Sequence, residues 1–173
     1  MLRRRRLCRG LYKRNKRTTS FSIFYLGCPL LWVSKLQSKI ALSTVEAEYI
    51  ALSQSMRELI GFREILKEIY THVLNDLKGY NSLTFNTVSK TFGEIPTSTV
   101  YEDNEACLRF AKTPKMSPRT KHIAIPYHFF RSKVENGEIN IVGINTDNQM
   151  ADQFTKGLPQ DKFLSDRKKL VGW

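Results

Sequence analysis

The sequence predicts an α/β domain built on a mixed sheet flanked by helices. Three observations predict it. Strand-like alternation comes first, as a pair split by a turn signal, and strands and helices then alternate to the C-terminus. Residues 43–66 carry the longest helical period, with Ile50, Leu52, Met56, Leu59, Ile60 and Leu66 recurring at three- and four-residue spacing. Finally, 173 residues with 41% apolar content suffice for one domain with a core.

Residues 1–17 read as a basic arm. Residues 19–26 read as a strand, with Phe21, Ile23 and Tyr25 on one face. Gly27-Cys28-Pro29 is a turn signal. Residues 30–34 and 38–42 read as a second strand, bent near 35–37, completing an antiparallel hairpin. The long helix opens with Ser43 and Glu46, spaced as a capping box, and fades near Tyr70. Residues 71–97 read as a mobile insertion, since Asn75, Gly79, Asn81, Gly93 and Pro96 break every period. A strand over 98–102 and a short helix over 105–112 follow. Pro114 and Pro118 bracket a loop. Residues 119–135 read as a helix kinked at Pro126, then come a strand over 138–144 and a helix over 148–156. Residues 160–173 form a C-terminal tail, amphipathic over 163–170, which leaves 18–159 as the domain.

The net charge is +12, and nine of its basic residues lie in the arm, from Arg3 to Arg17, with no acid among them. Such an arm either binds nucleic acid through phosphates or is a solvated tail. Cys8, Cys28 and Cys107 share no metal-ligand spacing and read as free thiols of a reducing compartment, the cytoplasm or nucleus. The apolar run at 21–33 is too short to span a bilayer, and Ser22, Gly27 and Pro29 interrupt it, so no membrane partner is expected.

Three carboxylates stand at ends of predicted elements. Glu48 falls in the first turn of the long helix, Asp103 at the carboxyl end of a strand, and Asp152 in the helix after the last strand. A mixed sheet can gather such positions. Gathered carboxylates stay ionised only with cations, and hard oxygen ligands suit Mg²⁺. From spacing alone, ordinary solvated acids explain them as well.

Seven stretches go further: ArgThrThrSerPheSerIlePheTyrLeuGly at 17–27, LeuTrpValSerLysLeuGlnSer at 31–38, AlaLeuSerThrValGluAlaGluTyrIleAlaLeu at 41–52, GluAspAsnGluAla at 102–106, ArgThrLysHisIle at 119–123, TyrHisPhePheArg at 127–131, and AspAsnGlnMetAlaAspGlnPheThrLysGlyLeuPro at 147–159. In this order they resemble the ribonuclease H domain of copia-type retrotransposon Pol polyproteins. The resemblance implies a ribonuclease H-like fold and metal-dependent hydrolysis of RNA in RNA–DNA hybrids. It implies Glu48, Asp103 and Asp152 as catalytic ligands of two Mg²⁺ or Mn²⁺ ions. Asn104, Arg119, Lys121 and His122 are the implied nucleic-acid contacts, and the reverse transcriptase portion of a longer polyprotein is an implied partner.

The chain departs from the family's pattern in ways that bear on activity. The family's fourth acid sits on a first, central strand, whereas no Asp or Glu precedes Glu46 here. Around 5–12 the chain reads ArgArgLeuCysArgGlyLeuTyr instead. The expectation is therefore a truncated or degenerate domain whose first strand is missing or replaced, with two half-sheets lacking a shared partner and with impaired catalysis. Phe21 replaces a usual glycine, and no histidine occurs in 143–149. The alternatives are a non-catalytic nucleic-acid-binding module and a fragment that does not fold alone.

Overall fold

A computed structural model describes residues 17–77, 95–112 and 129–172. Strand β1 (Thr18–Tyr25) and β2 (Cys28–Leu36) form an antiparallel hairpin. The turn is the pair Leu26-Gly27, both at positive φ (52° and 80°), as a two-residue hairpin turn requires. The second strand thus starts earlier than expected and is a single piece; residues 38–42 are not strand. Pro29 is tolerated inside it because the register slips there, between Ile23 and Phe24, and a bulge needs no N–H from that position.

Helix α1 (Thr44–Leu77) is longer than its apolar period suggests, and its last turns occupy the start of the expected insertion. The cap at its start is reciprocal. Ser43 Oγ accepts from Glu46 N at 3.1 Å, while Glu46 Oε2 accepts from Leu42 N at 2.7 Å. The glutamate reaches one residue further back than the usual box. Buried Gln37 fastens the hairpin to this end, donating Nε2 to Ala47 O at 2.8 Å.

Strand β3 (Ser98–Glu102) leads into α2 (Glu105–Lys112), and α3 (Arg131–Glu135) into β4 (Ile139–Gly143), which pairs parallel with β3. The expected helix over 148–156 is instead two 3-10 turns, Thr146–Asn148 and Met150–Phe154. Asn145 tightens the first by accepting from Asp147 N at 2.9 Å, a local bond that competes with an α-helical start. Helix α4 (Gln160–Val171) closes the chain, capped by Gly172 at φ 81°. Of the expected 119–135 helix, residues 119–128 lie outside the described residues and 129–130 are a turn leading into α3.

The architecture is α/β, as expected, and among the described residues the strands form two separate two-stranded sheets, β1-β2 and β3-β4, the two half-sheets anticipated above. One core joins the second sheet to α1. Tyr49, Leu52 and Met56 pack with Cys107, Ala111, Phe130, Ile139 and Ile141. The Tyr49 ring lies 4.5 Å from that of Phe110 and 5.7 Å from that of Phe130, centroid to centroid.

A polar tie backs this core. Arg63 is buried; its guanidinium donates to Pro96 O at 2.7 Å and Ser98 Oγ at 2.8 Å, and reaches Glu138 at 4.0 Å. It pins the start of β3 to the middle of α1. Arg63→Ala removes two hydrogen bonds from a buried charged donor, so urea unfolding should show a loss of about 2–3 kcal/mol at unchanged m-value.

Candidate functional site

Glu48, Asp103 and Asp152 line one cleft of about 880 Å³ between the two sheets, floored by α1. The chain brings them there from three elements. Glu48 is the fifth residue of α1, just past the first turn in which it was expected, and is half-buried. Asp103 follows the last residue of β3. Asp152 sits in the second 3-10 turn, which Ser20 holds against β1 by donating Oγ to Ala151 O at 2.9 Å.

These carboxylates feel one another. Burial raises the Glu48 carboxyl above the ordinary carboxylate range, and the charges of Asp103 and Asp152 raise it further, while Lys156 and Arg17 oppose them. Lys156 Nζ bonds Asp152 Oδ2 at 2.9 Å, and that bond, helped by Asp103 and Glu48, raises the lysine.

Two members of the site escape a reading by sequence position. Glu102 shares the inward face of β3 with Ser98 and Val100. Only 7% of it is exposed, and burial raises it to about 8, against the pull of the Asn104 N–H, which donates to its Oε1 at 3.2 Å. Period-two alternation from Val100 carries the signal. For Lys156 the signal is its spacing, four positions after Asp152, with which it pairs.

Asn104 does not line the cleft, and its side chain is used as a helix cap, accepting from Cys107 N at 3.0 Å. Arg119, Lys121 and His122 lie outside the described residues. So does Cys8, while Cys28 is exposed and Cys107 buried, both as free thiols.

The donor set has the chemistry of a hard-cation site but does not close around an ion. Among the described residues no three of His, Cys, Asp or Glu are placed to hold a metal together. Lys156 supplies cationic charge at Asp152 in its stead. No described helix is long and apolar enough to cross a membrane.

Fold and cleft define an α/β domain with clustered acids at one end of its strands. Over nine-tenths of its length the chain is homologous to a segment of retrovirus-related Pol polyproteins of transposons. It is 32% identical over 157 residues to the Pol polyprotein from transposon TNT 1-94 of Nicotiana tabacum, covering 91% of this chain and 10% of that protein. It is 29% identical over 154 residues to those from transposons RE1 and RE2 of Arabidopsis thaliana, covering 88% of this chain and 9% of each. The chain thus spans about a tenth of the length of the curated relatives it matches. No protein-family model matches it, and no solved structure does.

Proposed function

We propose that this is a retrotransposon-derived ribonuclease H-like domain, of the copia type, whose metal-dependent hydrolysis of the RNA strand in RNA–DNA hybrids is impaired. The observation that carries the reading is the meeting of Glu48, Asp103 and Asp152 in one cleft from positions far apart in sequence. Similarity to transposon Pol polyproteins supports the origin. What supports the impairment is the site's chemistry. A metal-assisted phosphodiester cleavage needs a tight set of carboxylates, and here the described acids do not close around an ion while Lys156 holds one of them. The proposed nucleic-acid contacts are Asn104, Arg119, Lys121 and His122, with the basic arm adding phosphate attraction. The partner is an RNA–DNA hybrid, next to the reverse transcriptase portion of the longer polyprotein.

A cleavage assay with a labelled hybrid in Mg²⁺ and in Mn²⁺ tests this. The expected outcome is binding with slow, metal-dependent cleavage of the RNA strand, lost in Asp152→Asn. Rapid cleavage would overturn the impairment. Neither binding nor cleavage in either metal would overturn the nuclease reading itself.

A further inference from the structure

The cleft is lined by cations as well as acids. Among the described residues its lining holds three basic side chains, Arg17, Arg63 and Lys156, beside Glu48, Asp103 and Asp152. Two of the three are committed elsewhere. Arg63 donates to Pro96 O and Ser98 Oγ, and Arg17 donates to Thr44 Oγ1 at 3.1 Å. Lys156 instead places its Nζ on a cleft carboxylate, at Asp152 Oδ2.

The two partners differ in freedom. Asp152 is held through its backbone on both sides. Its N–H donates to Gln149 O at 3.3 Å, and its carbonyl accepts from Thr155 N at 3.0 Å and Lys156 N at 2.9 Å. The Asp152 side chain is 13% exposed and that of Lys156 56%. The carboxylate therefore stays in the cleft whatever its partner. The lysine, a point charge on a flexible four-carbon stem, can swing out to water.

An ammonium is an incomplete substitute for a hard divalent ion. It brings one charge and meets one oxygen of Asp152, whereas Mg²⁺ gathers several oxygens around itself. Negative charge remains in excess with the lysine in place. Burial and the charges of Asp103 and Asp152 still raise the Glu48 carboxyl, with Lys156 and Arg17 opposing. Lysine and metal nevertheless exclude each other at Asp152, since both call on the same carboxylate and neighbouring cations repel.

We propose that Lys156 is a tethered counter-ion, an exchangeable latch that competes with divalent cations for Asp152. The inference deepens the nuclease reading and rests on it for the kind of ion. It accounts for a donor set that has the chemistry of a hard-cation site and yet, among the described residues, is not gathered around an ion. The latch is weak by construction. An ion pair with more than half of its lysine side chain in water contributes little, so a metal displaces it at a loss of affinity rather than being shut out. A lysine that merely braced the turn would act in the opposite sense, because its removal would loosen Asp152 and weaken an ion there.

Mg²⁺ titration of the full chain without nucleic acid tests the latch, read on the carboxyl-carbon NMR shifts of Glu48, Asp103 and Asp152. Lys156→Met should bind Mg²⁺ roughly five- to tenfold more tightly than the parent. Lys156→Gln should do the same, and Lys156→Arg, which keeps the charge, should stay at the parent's affinity. Lys168→Met is the control for net charge. Lys168 is exposed on α4 and does not line the cleft, so salt screens its loss and affinity should move by less than about twofold. Unchanged or weaker binding in both Lys156→Met and Lys156→Gln would overturn the proposal. An equal gain in Lys168→Met would assign the effect to overall charge and overturn it too. So would the absence of any Mg²⁺-dependent shift at the three carbons in parent and variants. With no hybrid in the sample, each of these results stands apart from the cleavage test of the nuclease reading.

Discussion

Unfolding free energy of the metal-free protein should fall as pH rises from about 4.5 to about 8, and Glu102→Gln should flatten that fall. The cause is the Glu102 carboxyl, which burial lifts from 4.5 to about 8, with Glu48 and Asp103 adding to the lift and the Asn104 N–H opposing it. A carboxyl whose folded value exceeds its unfolded one binds more protons in the folded state. Its stabilising contribution is complete below about 4.5 and lost as pH climbs through about 8. At about 1.4 kcal/mol per unit, the full span is worth several kcal/mol. Glutamine keeps the shape and the acceptor for Asn104 without the charge. The variant should therefore gain stability over the parent at pH 8 and none at pH 4. The Glu48 carboxyl, raised by the same crowding, should leave a smaller residual slope of the same sign in the variant. Urea titrations at several pH values read both.

Phe130→Ala should be the most damaging single truncation in the described core. Phe130 has no exposed surface, packs its ring on Tyr49, and joins α1 to α2 and β4 through Met56, Cys107 and Ile141. Removing a ring from such a site costs about 3–5 kcal/mol, a large part of the stability of a single domain. For a chain of this size that should lower Tm by about 6–20 °C. Trp32, with half of its surface in solvent, is the control. Trp32→Ala should move stability by only about 0.5 kcal/mol. A comparable drop at both positions would contradict the placement of the core.

The contrast between these residues shows which parts of the fold the sequence discloses. Periodicity places the start of α1, and β3, α2 and β4, to within a residue or two, because an apolar spacing repeats there. α1 runs on beyond Tyr70 because its last turns are carried by backbone bonds rather than an apolar face. The segment around Asp152 has no apolar period at all. An Asx-type bond from Asn145 and a Ser20 contact 131 residues away shape it, and neither is visible locally. The candidate acids were legible only in part. Glu48, Asp103 and Asp152 stand near ends of predicted elements, where position suggests a role. Glu102 reads as an ordinary polar residue until the facing of β3 turns it inward. The two half-sheets agree with the expectation drawn from the family resemblance, in which the first strand is missing, whereas local patterns alone do not encode such long-range pairing.

The central claim is that Glu48, Asp103 and Asp152 share one cleft and act on one another's charge. Carboxyl-carbon NMR titration of Glu48 tests it most directly, in the parent chain and in Asp103→Asn and Asp152→Asn. The account predicts that Glu48 titrates above the ordinary glutamate range in the parent, and lower in each variant, with Asp103→Asn the larger effect. A Glu48 titration that neither substitution moves would contradict it.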